Sequence, residues 1–146
     1  MYNGLLHAHS GLRWVVLLLL VVALFKALIK WRSNAPYTDG DRKLNLFTMI
    51  SAHVQLVLGL VLIFLSPKVQ FTAAAMKEPV SRFFTAEHSV MMLLAIVLIT
   101  IGYSRSKRAA EDAQKFRSIF TYFVLALLVL LAGIPWPFRN LGAGWF

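Results

Sequence analysis

"HAHSGLRWVVLLLLVVALFKALI" (7–29) decides the fold. From residue 11 to residue 29 the run is apolar apart from Arg13 and Lys26, close to the ~20 residues a helix needs to cross a hydrocarbon core. Lipid offers the backbone no hydrogen-bonding partner, so such a run must satisfy its amides internally and is a helix. Three further runs follow at 44–65, 83–103 and 119–134. Proline and glycine fall where the runs stop: Pro36 and Gly40 in the first connection, Pro67 after the second run, and "GIPWPF" (133–138) after the fourth. The reading is an all-α integral membrane bundle of four helices, up-down-up-down with short loops, forming one domain over residues 1–146.

Composition agrees. The chain is 59% hydrophobic and 14% charged, whereas a soluble domain is about half apolar and a quarter charged. It has no cysteine, which excludes disulfides, thiolate metal ligands and a cysteine nucleophile. Its net charge of +9 is concentrated beside the apolar runs, where it suits anionic lipid headgroups; nucleic acid is not an expected partner.

Lysine and arginine set the orientation. Ten of the fifteen basic residues flank the first and third connections, including Lys30, Arg42, Arg105 and Lys107. The positive-inside rule makes those connections cytoplasmic and sends both termini outward. Trp14, Trp136 and Trp145 then mark the outer interface and Trp31 the inner one. The first run is read as a retained span, since the charges follow it and it is long for a signal-peptide core. The longest connection, 66–82, has room for a short surface helix.

All four histidines (His7, His9, His53 and His88) lie within or beside these runs. Ionisable groups inside membrane segments mark pathways or cofactors by default, although a histidine can also serve as interhelical packing glue. Seventeen residues separate His9 from Lys26, and seventeen separate His88 from Arg105. Both imidazoles therefore sit about 25 Å above the basic boundary, on helices that are diagonal in an up-down bundle. Two imidazoles at one height can be the axial ligands of a b-type haem. His53 lies only ten residues from Lys43, so it is about 10 Å deeper than the pair. It either ligates a second cofactor, meets a quinone headgroup near Asn45 or Gln55, or hydrogen-bonds between helices. His7 is about 200° around the helix from His9, so only one of them can face the axis.

Arg13 shares a face with His9 and calls for an anion, either Glu87 or a haem propionate, unless it snorkels to the interface. Ala23 and Ala27 below His9, and Ala95 and Gly102 below His88, leave room for a macrocycle or let helices approach closely. The stripe Ala52, Gln55, Gly59 and Ser66 reads as packing.

"HSGLRW" (9–14), "HVQLVLGLVLIFLSP" (53–67), "RFFTAEHSVMMLLAIVLITIG" (82–102) and "IPWPF" (134–138) together resemble a family of small four-span Bacteroidota membrane proteins commonly labelled "cytochrome b". The likeness covers essentially the whole chain. It transfers to His9, Arg13, Trp14, His53, Gln55, Glu87, His88, Pro135 and Trp136, and leaves His7 outside the motif. The broader cytochrome b561-like families hold haem between histidines of a four-helix membrane bundle, usually two haems on four ligands.

The expectation is an electron carrier or subunit with one bis-histidine haem b near the outer face, exchanging electrons with a quinol. Its partners are the lipid bilayer and either other membrane subunits or further copies of itself. The alternatives are a single transition-metal ion on His9, Glu87 and His88, or a haem-free accessory subunit whose histidines pack helices. No pairing of catalytic base and nucleophile is visible.

Overall fold

The structure, a computed structural model, describes residues 1–145. Four long helices carry the chain: α1 (Tyr2–Arg32), α2 (Asp39–Leu65), α4 (His88–Arg108) and α5 (Asp112–Gly133). A short α3 (Pro79–Arg82) leads through a π-helical turn, Phe83–Glu87, into α4, so the third span runs Pro79–Arg108 without a break. All four spans are long and apolar enough to cross a membrane, and only 17–33% of each one's most apolar stretch is buried inside the bundle. The rest, including Leu18, Phe25, Phe64, Val90 and Leu128, faces outward as a lipid-facing surface would.

α1 packs on α2 and α5, and α4 packs on α5 and α2, which leaves α1 and α4 diagonal across the bundle. Leu20, Ala95, Ile99, Ile119, Phe123 and Ala126 are fully buried and form the apolar axis. Small residues let α4 and α5 close on one another. A Cβ on Gly102 would lie 2.7 Å from Tyr122 Cβ, and one on Gly133 would lie 2.6 Å from Met92 Cε. Ala23 and Ala27 are likewise buried in the core. The small residues on the histidine faces of α1 and α4 thus serve helix approach below the histidines, not a flat group.

Local chemistry explains the boundaries. Thr38 and Asp41 form a reciprocal capping box that starts α2. Asp41 is buried and also takes Lys30 and Lys26, the latter at 3.1 Å, which binds the end of α1 to the start of α2. Tyr37 completes that end, with its amide donating to Asp112 at 3.0 Å and its hydroxyl accepting from Asn45 at 3.1 Å. In the 66–82 connection the Glu78 side chain caps α3 by accepting from the Ser81 amide at 2.7 Å, with Pro79 in the first turn. The Ser81 and Val80 amides hold the Glu78 carboxyl below its ordinary range. The helical spans begin earlier than the apolar runs, because capping and charge pairing carry helix beyond the hydrophobic stretch.

Candidate functional site

α5 ends in a sequence that cannot complete its own hydrogen bonds. The carbonyls of Leu131 and Gly133 would accept from the amides of residues 135 and 137, and both of those residues are proline. Side chains take over. Trp136 Nε1 donates to the Leu131 carbonyl at 2.8 Å, and Arg139 Nη1 donates to the Ala132 carbonyl at 2.9 Å. The Gly133 carbonyl receives the Nδ1–H of His88 at 2.8 Å. A carbonyl only accepts, so His88 carries its ring proton on Nδ1 and keeps a lone pair on Nε2. Metal-bound histidines are held in the same way, the far ring nitrogen anchored on a carbonyl.

The π-helical turn aims His88. An extra residue in a helical turn rotates everything after it by about 100° relative to what precedes it. Ser89 Oγ steadies the turn by donating to the Phe84 carbonyl at 3.1 Å, and Phe83 and Phe84 stand 6.0 and 6.1 Å from the His88 ring.

Across the bundle axis the His9 ring centre lies 6.4 Å from that of His88, with the planes at 73°. The two imidazoles share one level, as their equal spacing from the basic boundary requires. The distance is informative. An imidazole nitrogen is about 1.1 Å from its ring centre, so two rings in a direct hydrogen bond have centres about 5.2 Å apart at most ordinary N···N lengths. Two rings with nitrogens about 2.0–2.1 Å from one metal between them have centres about 6.3 Å apart. The observed separation is longer than a direct ring-to-ring hydrogen bond, falls within the ~4.5–7 Å of an edge-on ring pair, and is also close to the spacing of two rings on one metal.

His9 and His88 line one cavity of about 430 Å³, within the ~300–1,000 Å³ usual for cofactor pockets. α1, α2 and α4 form its walls, and Gly142, Ala143 and Gly144 of the C-terminal segment close one side. That segment is pinned: Arg13 Nη2 and Trp14 Nε1 donate to the Trp145 carbonyl at 2.7 and 3.0 Å, and Lys68 reaches the carbonyls of Leu141 and Gly142. Trp14, Trp136 and Trp145 cluster there with ring centres 6.1–6.2 Å apart. Three buried polar atoms in the cavity wall lack a hydrogen-bond partner: His9 Nδ1, Arg13 Nε and Gln55 Oε1. Buried orphans are rare in a finished structure, and three around one cavity point to a polar or charged occupant.

The other candidate residues lie elsewhere. Glu87 pairs with Arg82 at 2.8 Å, with 40% of its side chain exposed, so it is not the anion beside Arg13. No three His, Asp or Glu side chains converge as a metal site among the described residues, and Glu87, paired with Arg82, is not drawn to His9 and His88 as the alternative metal set would need. His53 donates from Nδ1 to the Met49 carbonyl at 2.8 Å and stands 3.5 Å from Thr100 Oγ1. Thr100 is twelve residues beyond His88 on α4, about 18 Å along the axis, so His53 cannot share a cofactor with the pair. Asn45 is committed to Tyr37 and Gln55 to the His9 carbonyl (2.8 Å), so neither accompanies His53. His7 is exposed and does not line the cavity.

The stripe read as packing does pack, with Ala52 in the buried core, and it also walls the cavity. Ala52, Gln55, Gly59 and Ser66 all line the cavity, and a Cβ on Gly59 would lie 3.2 Å from His9 Cε1. Alternation of small and polar residues along α2 was the available signal. The spacing of Pro137 four residues after Gly133 was the signal for a free carbonyl.

The chain is a bundle of four long apolar helices, membrane-spanning in length and composition, in which His9 and His88 line one cavity. No family model, no curated protein and no solved structure matches the chain.

Proposed function

We propose that this chain is an electron-transfer protein of a bacterial inner membrane, termini outward, that holds one haem b between His9 and His88. The observation that carries this reading is that the two imidazoles meet at one level, 6.4 Å apart between ring centres, and line one cavity together. His88, its Nδ1 proton committed to the Gly133 carbonyl, would hold the group through Nε2, and His9 would hold it from α1. Arg13, with its unpartnered Nε in the cavity wall, would face an anionic substituent of the macrocycle. Haem b supplies one-electron chemistry when bound, and the apolar cavity wall and the ligand pair tune its potential. A membrane quinol is the proposed electron partner, and the chain works as a carrier or as a subunit of a larger assembly.

The visible spectrum of detergent-purified protein tests this. The expected result is a Soret band with sharp reduced α and β bands, lost in His9→Ala and in His88→Ala and kept in His53→Ala. Stoichiometric metal without a Soret band would replace the haem with a bare transition-metal ion on the same pair. Absence of both would leave the histidines as packing groups.

A further inference from the structure

A second concavity, about 680 Å³, lies on the outside of the bundle along the seam between α2 and α4, toward its basic end. Its walls differ in kind. Ile50, Val54 and Val57 of α2 present an apolar wall, 43–58% exposed, with Met49 and His53 between them. The α4 wall is Thr100, Tyr103, Ser104, Lys107 and Arg108, at spacings of three, four, seven and eight residues. That is one continuous face of a helix, polar along its length and cationic at its end.

Tyr103 is buried and Thr100 Oγ1 already donates to the Ile96 carbonyl at 2.7 Å, so the polar groups of this wall left open to a partner are Ser104, Lys107 and Arg108, and lipid tails cannot provide one. From Thr100 to Arg108 the wall spans about 12 Å along the helix. Neither Lys107 nor Arg108 has an ion-pair partner among the described residues, although Asp39 on α2 takes both Arg42 and Lys43. The Tyr103 hydroxyl sits beside the Arg42 guanidinium, which Asp39 already pairs, so the open cations of the groove are Lys107 and Arg108.

We propose that this groove is a binding site for one anionic glycerophospholipid. Its phosphate lies between Lys107 and Arg108, an ester carbonyl accepts from the Ser104 hydroxyl, and an acyl chain lies along Ile50, Val54 and Val57. Charge complementarity selects an anionic lipid over a zwitterionic one, and the matched polar and apolar walls select an amphiphile over free phosphate. The site is separate from the His9–His88 cavity and does not depend on what that cavity holds.

Native mass spectrometry of the delipidated full chain, offered phosphatidylglycerol or phosphatidylcholine, tests it. The expected result is retention of one phosphatidylglycerol in preference to phosphatidylcholine. Lys107→Ala/Arg108→Ala should weaken that retention about tenfold or more, and Arg32→Ala/Arg117→Ala, which removes two cations from the same end outside the groove, should leave it unchanged. Val54→Trp keeps every charge but fills the groove, and should weaken it as well. Equal retention of the two lipids, equal loss in both charge variants, or undiminished binding in Val54→Trp would overturn the proposal.

Discussion

His88 Nδ1 donates to the Gly133 carbonyl at 2.8 Å, across the interface of α4 and α5, because Pro137 has no amide to offer that carbonyl. The end of one span thereby sets the tautomer of a histidine on another. The segment after α5, residues 135–139, also supplies Trp136 and Arg139 to the neighbouring carbonyls. This makes the join between α5 and the C-terminal segment the support on which the candidate site rests.

Gly133→Ala should disturb that support. The new methyl would stand 2.6 Å from Met92 Cε and 2.9 Å from Met91 Cβ. Met92 can swing away, but Met91 Cβ is fixed to the backbone. Overpacking of this kind costs about 1–3 kcal/mol, so the unfolding temperature in detergent should fall, and Met92→Ala should recover only part of the loss.

Gly59→Ala separates site from fold. His9 Cε1 at 3.2 Å must give by a few tenths of an ångström, while nothing else crowds the position. Thermal stability should change by less than about 1 kcal/mol. Affinity for added haemin, followed by absorbance titration, should drop on the order of tenfold, because ligand geometry tolerates displacements of only about 0.5 Å. Gly11→Ala, where nothing lies within 4 Å, should leave the titration unchanged.

Asp41→Ala should cost about 3 kcal/mol in denaturant-unfolding measurements. It removes a buried carboxylate that joins Lys26, Lys30 and Thr38 and leaves the lysines without their counter-charge. Asp39→Ala, two residues away, breaks only exposed pairs with Arg42 and Lys43 and should cost less than about 1 kcal/mol.

Arg13→Leu should loosen the C-terminal segment. Arg13 provides one of the two side-chain hydrogen bonds that hold the Trp145 carbonyl over the cavity. Amide exchange in residues 141–145 should speed up several-fold while the α4–α5 core, from Ala95 to Phe123, stays protected. Unchanged exchange would show that Trp14 and Lys68 hold the segment without help.

Four apolar runs, their proline and glycine breaks and the clustering of lysine and arginine made the bundle legible, because hydrophobic length and backbone satisfaction in lipid leave few other solutions. The level pairing of His9 and His88 was legible too, since helical rise converts residue counts into depth. The fate of Arg13 and Glu87 was not. Depth arithmetic put them together, but the direction in which each side chain leaves its helix gave Glu87 to Arg82 and Arg13 to a carbonyl 132 residues away. The α2 stripe was visible as a pattern yet assigned to packing alone, because small residues mark close helices and open cavities alike.

Chain order and local physics were thus enough for the number of spans, their alternating direction, and the histidines that meet at one height. Three-dimensional packing settled how far apart those rings stand, that a proline-freed carbonyl anchors one of them, and that a C-terminal segment walls their cavity. Rise per residue is a property of any helix, so depth follows from counting. Rotation about the axis, and the approach of segments distant in the chain, depend on how side chains from several helices interlock, and no single stretch of sequence encodes that.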